Sequence, residues 1–524
     1  MRLIASALAC CLLLPPAVAE AAWAGQSVMQ RKPGAAFRPK GTVTPVAVVG
    51  VVFQVLAETD GSIRLRDRSG KEGWGDKASF VLLADAPAHY SDLIRANAKD
   101  TWAWNMRGLA HAARGDRDKA IADYTEAIRL NPKESAFYSN RGIAWAEKRQ
   151  PDKAIADYTS AIRIDPRNAL AYNNRGVSWA DKGAHDNAIR DYTEAIRLDG
   201  TYSLAYANRG NAHRAKGELD KAIKDYTDSV RLYPHSATVF NSRGMCWADK
   251  RQHDKAIKDF DEALRLDSAY AFAAGNRAIS REARGDLDEA IRDYTTALRL
   301  APRYPRAYVG RGRCLRAKGD PDKALKDFDE AIKQSPAYAF AYASRASAWS
   351  DKKEHEKALA DLDDAIRYSP RYGWAHFQRG VARLVLGRRD AALAFQGVLD
   401  SEGATGSWSG HAVVLGWLSA MKANHHSSGR FLADAAKLGT AWPGPVARYM
   451  RKEIDEKALL LAASDEGKRT EARCFLGIER ALRGKKDEAL AHLRWVKENG
   501  RKTFSEWKIA VAELERLERA MGMR

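Results

Sequence analysis

An arginine returns at one constant interval, at Arg107, Arg141, Arg175, Arg209, Arg243, Arg277, Arg311, Arg345 and Arg379. A strict period of a few tens of residues dictates a stacked helical array, because so short a unit cannot bury its apolar face alone and must cover it with the next copy. Stacking also frees a chain of 524 residues from needing one central core. The unit is legible between Ala169 and Tyr202, where AYNNRGVSWADKGAHDNAIRDYTEAIRLD reads as two short amphipathic helices and their turns. In the copy starting at Thr101, the residues Trp104, Gly108 and His111 share one face of a first helix, and Ala120, Ile121, Tyr124, Ala127 and Ile128 one face of a second. Gly115 and its equivalents Gly183, Gly217, Gly285, Gly319 and Gly387 are expected to end the first helix, because a residue without Cβ turns left-handed freely. Asp118, Asp152, Asp186, Asp220, Asp254, Asp288, Asp322 and Asp390 are expected to cap the second helix. It then stops before Pro132, Pro166, Pro234, Pro302, Pro336 or Pro370, which cannot supply the next helical N–H. Small Gly108 and Ala120 let the paired helices approach, and Tyr124 fills the gap toward the following unit.

This order of large residue, Gly, Ala, aromatic, Ala and Pro resembles the tetratricopeptide repeat. Eight copies run from Thr101 to Tyr372, and a ninth, 373–406, keeps Gly380 but sets Phe395 one place early. The resemblance implies a mainly α fold, a right-handed α-solenoid of helix pairs. It also implies a concave groove, lined by the first helices, that takes extended peptides or partner helices. Asn140, Asn174, Asn208 and Asn211, with Asn173 and Asn241 beside them, fall at groove-facing places. Their amides offer a peptide backbone paired donors and acceptors; the alternative is that they cap or bridge neighbouring helices. The Asn-Arg pairs resemble half of the carboxylate clamp of some such arrays, whose lysine places here hold Trp102, Ala136 and Leu170.

A second charge keeps the same period. Asp123, Asp157, Asp191, Asp225, Asp259, Asp293, Asp327 and Asp361 accompany the arginines at the same interval. Two opposite charges held through so many copies are expected to form a ladder of Arg–carboxylate pairs at the edge of the helix packing, setting register between helices; the alternative is a solvated surface row.

The start of the chain reads differently. Arg2, the apolar run Leu3 to Leu14 and Ala17-Val18-Ala19 have the order of a cleaved export signal over 1–19. Export would place the chain in the periplasm or cell envelope, or outside the cell. Cys10 follows a poor lipobox, Ala7-Leu8-Ala9. No later stretch has the ~20 apolar residues of a membrane span, so the processed chain is expected to be soluble. Residues 20–40 read as a tether, and 85–100 as a linker with helical character. Between them, 41–84 alternates short β-branched runs with turns at Asp60-Gly61 and Ser69-Gly70-Lys71-Glu72-Gly73. The segment GSIRLRDRSGKEGWGDKASFVLL resembles the small all-β barrel of bacterial Src-homology-three-like domains, in which Trp74 either lies on a surface groove or closes the barrel's own core. With Phe53, Trp74 and Phe80 as its aromatics, the segment lacks the flat surface that binds Pro-rich ligands.

Beyond 406 the period breaks into helices over 407–524, separated by Gly439, Pro443-Gly444-Pro445 and Gly484. WPGPVARYMRKEIDEKALLLAA and the segment after it resemble the C-terminal part of bacterial envelope tetratricopeptide lipoproteins of the adaptor type. The resemblance implies wall hydrolases or proteases as partners. Arg473 to Gly500 repeats the hairpin once more through Gly477, Ala489 and Leu493, and the last helix, with Val511, Leu514 and Leu517 on one side, is expected to be a polar-faced cap.

No sequence motif for nucleotide, metal or nucleophilic catalysis occurs, and no cofactor is implied. His411 with His425 and His426 lacks a carboxylate at ligand spacing. Cys246, Cys314 and Cys474 read as small buried residues, their odd number and spacing arguing against disulfides or zinc. The formal charge of +19 divides as +3 before Thr101, +9 over the repeats and +7 after residue 405. That even spread lacks the basic stripe of a nucleic-acid binder. The sequence therefore describes a non-enzymatic exported scaffold for protein or peptide ligands. Two alternatives are a structural protein anchored to the cell wall through its barrel, and an enzyme with acids near Glu453, Asp455 and Glu456.

Overall fold

The computed structural model describes residues 23–33, 36–39, 46–47, 52–59, 61–67, 72–403, 406–424 and 427–523. The expected export signal lies outside them, as do His425 and His426. The chain divides into two compact units, residues 1–246 and 247–524. Among the described residues no helix is long and apolar enough to cross a membrane.

The first unit opens with a seven-stranded antiparallel sheet: β1 (Ser27–Gln30), β2 (Ala36–Pro39), β3 (Val46–Ala47), β4 (Phe53–Thr59), β5 (Ser62–Arg66), β6 (Glu72–Asp76) and β7 (Phe80–Leu82). Their order is β3-β2-β6-β5-β4-β1-β7. The sheet is open rather than a closed barrel, since β3 and β7 end it without pairing to each other among the described residues. It also takes two strands from the stretch expected as a tether. β1 pairs with both β4 and β7, and such short strands cannot announce themselves by alternation. Val28, Phe53, Val55, Ile63, Leu65 and Phe80 form its core. Trp74 points out of the other face and is exposed, with buried Gly73 and Gly75 on either side of it, as a pleated strand requires.

Helix α1 (Ala86–Ala96) follows the sheet. The repeats of this unit then pair α2 (Thr101–Ala113) with α3 (Arg117–Leu130), α4 (Ser135–Glu147) with α5 (Pro151–Ile164), α6 (Ala169–Asp181) with α7 (His185–Leu198), and α8 (Ser203–Ala215) with α9 (Leu219–Leu232). The unit boundary falls inside α10 (Ala237–Asp249). In the second unit come α11 (His253–Leu266), then α12 (Ala271–Arg284) with α13 (Leu287–Leu300), α14 (Pro305–Ala317) with α15 (Pro321–Gln334), α16 (Ala339–Asp351) with α17 (His355–Tyr368), and α18 (Gly373–Val385) with α19 (Ala391–Glu402). Consecutive helices pack on one another in each unit as an α-solenoid.

The linker helix α1 is half a repeat. Ala86 and Tyr90 stand one full period before Ala120 and Tyr124 and are likewise buried. The sheet docks there: Met29 and Val81 pack with Tyr90 and Met106, and the Tyr90 hydroxyl donates to the Gln30 carbonyl.

Close approach within each pair depends on the missing Cβ. A Cβ at Gly108 would lie 2.6 Å from the Tyr124 ring, and one at Gly176 2.6 Å from Tyr192. Two copies carry Ala at this place and compensate in different ways. Ala346 faces the smaller Leu362. Beside Ala278, Tyr294 leans instead toward the next repeat, where a Cβ on Gly310 would lie 2.3 Å from the ring. The expected left-handed turn forms at Gly115 and its five equivalents, and Arg149, Arg251 and Lys353 take it in the copies that lack Gly. The expected caps are corrected. The second helices begin earlier than expected, so Asp118 lies in the first turn of α3, whose N-cap is Asp116. Asp152, Asp186, Asp220, Asp254, Asp288 and Asp322 lie there too, favoured by the positive end of the helix rather than by a cap bond. Asp390 does stand at the N-cap, of α19.

Beyond residue 406 follow α20 (Ser409–Ala423), α21 (Ser428–Ala435), α22 (Gly444–Met450), α23 (Glu456–Ala462), α24 (Glu466–Leu482), α25 (Lys486–Asn499) and α26 (Ser505–Ala520). Helices α24 and α25 repeat the hairpin geometry, a Cβ on Gly477 falling 2.7 Å from Leu493. The last helix is more than a polar-faced cap. It folds back on α18, α24 and α25 and buries Glu506, Ile509, Ala510, Leu514 and Glu518, so two carboxylates replace part of the expected apolar side.

Candidate functional site

The arginines and aspartates of the period meet. Arg175 donates from Nε and Nη2 to the two oxygens of Asp191, both at 2.8 Å, and from Nη1 to Thr159 Oγ1 at 3.1 Å. The guanidinium lies over the Tyr172 ring, 5.5 Å from its centroid. The same fork joins Arg107 to Asp123, Arg141 to Asp157, Arg209 to Asp225, Arg277 to Asp293, Arg311 to Asp327 and Arg345 to Asp361. Each arginine thus ties its own second helix to that of the copy before it, whose Thr or Asp takes Nη1. For Arg107 the earlier partner is Ser91 of α1. Arg243 donates to Thr227 at 3.1 Å, and Asp259 is buried. The aspartates are buried and the arginines half-buried. Bonds to Asp191 hold the Arg175 guanidinium above its ordinary value, burial opposing them. The ninth copy departs: Phe395 stands where the aspartate would be, and Arg379 reaches Asp363 instead, at 3.0 Å.

The asparagines mostly satisfy one another. Asn140 Nδ2 donates to Asn105 Oδ1 at 2.9 Å, and Asn208 Nδ2 to Asn173 Oδ1 at 3.0 Å, each bridging neighbouring first helices. Asn173 is buried and donates to Asn174 at 3.2 Å; Asn241 is buried beside Met245. Both amides lie within the helix packing, where the structure favours the alternative of a bridge between helices. Asn211 is exposed, its Oδ1 accepting from the Tyr226 hydroxyl at 2.7 Å.

Different first-helix residues face solvent, two in each unit. Leu170, Leu204, Phe272 and Phe340 are 50%, 52%, 58% and 37% exposed. All four occupy the second position of a first helix, whole multiples of the period apart. The signal was visible in the sequence at Trp102, Ala136 and Leu170, where clamp lysines give way to apolar residues.

The tetratricopeptide-repeat family profile matches residues 83–135, 105–169, 141–203, 208–271 and 276–339. Over those residues the helix pairs are tetratricopeptide repeats. Among solved structures the chain is similar to MamA, at 27% identity over 31% of this chain and 94% of that one, with a TM-score of 0.30. It is similar to YrrB, described as a tetratricopeptide-repeat protein with an unusual peptide-binding site, at 23% identity over 35% and 95%, with a TM-score of 0.32. A tetratricopeptide repeat protein from Parabacteroides merdae is similar at 23% identity over 45% and 93%, with a TM-score of 0.38. No curated protein sequence matches the chain.

In the second unit the last helix crosses the first helices α16 and α18. Lys508 Nζ lies 2.8 Å from Asp351 Oδ1, and Arg516 Nη2 donates to the Leu384 carbonyl at 3.1 Å. Beneath it opens a cavity of about 480 Å³ whose walls include Trp374, Phe377, Trp408 and Phe504. Phe377 and Trp408 stack with centroids 5.2 Å apart. Three titratable groups from three helices line its floor: His411 of α20, Glu471 of α24 and Glu506 of α26. Glu471 Oε2 accepts from Trp442 Nε1 at 2.6 Å and lies 3.1 Å from His411 Nε2. Burial pulls the His411 imidazole down, but its bond to Glu471 prevails and raises it. Burial pushes the Glu506 carboxyl up to about 7, the Glu471 charge adding to the shift and His411 opposing it.

The acids singled out from sequence lie elsewhere. Asp455 caps α23, Glu453 pairs with Arg451 at 2.6 Å, and Glu456 pairs with Arg480 at 2.7 Å. Cys246, Cys314 and Cys474 are free and buried, and burial pushes the Cys314 thiol up to about 12.

Proposed function

We propose that the chain is a scaffold that binds proteins or peptides along its tetratricopeptide first helices, with no chemistry of its own. The observation that carries this is the pair Leu170 and Leu204 in the first unit and the pair Phe272 and Phe340 in the second. Large apolar side chains kept in water at one register place mark, in each unit, a surface awaiting a partner, and anchors one or two repeats apart within a unit suit an extended segment or an amphipathic helix. The Asn173–Asn208 bridge holds together α6 and α8, which present Leu170 and Leu204. The Arg–Asp forks, in this reading, fix register between second helices.

The apolar leader at Leu3 to Leu14 supports export to the periplasm or envelope. There the role would be that of an adaptor for hydrolases or proteases. Exposed Trp74, between buried glycines of an open sheet, favours a second contact through that sheet, with a partner or with the cell wall.

The test is selection of peptides from a displayed random library on the full chain. Selected peptides are expected to lose about tenfold or more in affinity when Leu170, Leu204, Phe272 and Phe340 all become Ser. Equal binding to that variant, with its helical content unchanged, sinks the reading. Crosslinking in its own cells, followed by mass spectrometry, then tests the adaptor role by whether a hydrolase or protease is recovered.

A further inference from the structure

Glu506 presents a problem that its surroundings do not solve. Its residue is 7% exposed. Its own backbone N–H is the one donor its carboxylate has; among the described residues no side chain donates to it and no cation pairs with it, the facing His411 being taken by Glu471, which also holds Trp442. A carboxylate removed from water with a single backbone donor and no counter-charge is costly. It nevertheless lines a cavity large enough for a small ligand, between aromatic walls that also favour a cation.

The cavity is polar in a definite direction. On one side it shares His411, Glu471 and Glu506 with a small pocket that runs in under α20 and α24. On the other it shares Arg316, Ser347 and Trp374 with a neighbouring cavity of about 360 Å³ that also holds Arg313 and Tyr372. Arg316 and Lys508, which line the main cavity, both turn to one carboxylate, Asp351, at 3.3 and 2.8 Å, which leaves a positive charge in excess. One end therefore lacks a cation and the other an anion.

We propose that the cavity beneath α26 binds a small amino-acid or peptide zwitterion, its ammonium group against Glu506 and its carboxylate toward Arg316 and Lys508. The ammonium supplies the counter-charge that the floor lacks, and Trp374, Trp408 and Phe504 enclose the chain between the two ends. The site adjoins the first-helix row, since Trp374 holds the register place after Phe340 and Phe340 lines the neighbouring cavity; its charged ends, Glu506, Arg316 and Lys508, are not part of that row, so they are tested apart from it. A free amino acid and a short peptide carry the same chemistry and differ in length.

The experiment is calorimetric titration of the full chain with alanine, trialanine and tetraalanine, and with the N-acetylated and C-amidated forms of whichever binds. Binding of an unblocked probe is expected. Acetylation should weaken it about tenfold or more. In Glu506→Gln, a near-isosteric change, the unblocked probe should bind as weakly as the acetylated one, with no further loss on acetylation. Lys508→Met, at a half-exposed position, should likewise erase the difference between free and amidated C-termini. Alanine binding as well as trialanine assigns the site to a free amino acid; tighter binding with length assigns it to a peptide. No binding at millimolar concentration, or acetylated and Glu506→Gln titrations matching the wild type, overturns the proposal.

Discussion

Replacing Arg175 by Met removes one rung of the Arg–Asp ladder and should cost about 3–5 kcal/mol. The size follows from what remains. Asp191 is buried, and both its oxygens accept from this one guanidinium at 2.8 Å. Without it a charge stays in a poorly hydrated place and the bond to Thr159 disappears. Methionine keeps most of the apolar stem over Tyr172, so the loss is chiefly electrostatic. Asp191→Leu alone strands a half-exposed guanidinium that water still reaches, and should cost less, about 1.5–3 kcal/mol. The double variant leaves no unpaired charge, and apolar residues can replace a buried pair at little cost. It should fall at least ~2 kcal/mol short of the sum of the singles, as contacting groups do. Urea unfolding followed by circular dichroism measures the total. Amide hydrogen exchange in α6 and α7 locates it, since repeat arrays open regionally. Additive single effects, or an Arg175→Met cost under ~1 kcal/mol, would return the ladder to a solvated surface row.

Arg149, Arg251 and Lys353 hold left-handed φ of 55°, 57° and 63° at the turn where other copies use Gly. Each changed to Gly should raise stability by about 0.5–1 kcal/mol, the relief of left-handed strain exceeding the added chain entropy; unchanged melting temperatures refute this. Gly310→Ala should destabilise by about 1–3 kcal/mol, because its Cβ would fall 2.3 Å from the Tyr294 ring. Ala278→Gly in the same chain should recover part of that loss by letting the ring swing back. With the Glu506 carboxyl raised to about 7 from its usual 4.5, the folded state holds a proton that the unfolded chain has released. Stability should therefore fall as pH rises from about 4.5 to 7 and then level, by an amount of order 3 kcal/mol. His411, raised by Glu471, loses its contribution in the same direction as pH passes its folded value. Cys474, Glu471, Arg316 and Lys508 also face this region, so the assignment rests on Glu506→Gln flattening the slope, measured as the melting temperature against pH.

By itself the sequence determined the helical array, because every contact that builds it joins residues a fixed distance apart. Arg175 and Asp191 stand at one separation along the chain, and Gly176 and Tyr192 at the same one; a stacked unit repeats such pairs until the period is plain. Where the period faded, the tertiary structure decided. Helix α1 keeps Ala86 and Tyr90 but has neither the Gly turn nor a first helix of its own, so half a repeat reads as a linker. The strands β1 and β2 are short, and their pairing depends on partners far along the chain. The asparagines show a subtler limit, since regular spacing cannot tell a groove face from a helix-to-helix bridge until Asn173 is seen buried beneath Asn208. The cavity was least legible of all. Arg316, His411, Glu471 and Glu506 come from four helices with no common spacing, and they meet only because α26 folds back across the first helices α16 and α18, an arrangement set by side-chain burial rather than by any repeat.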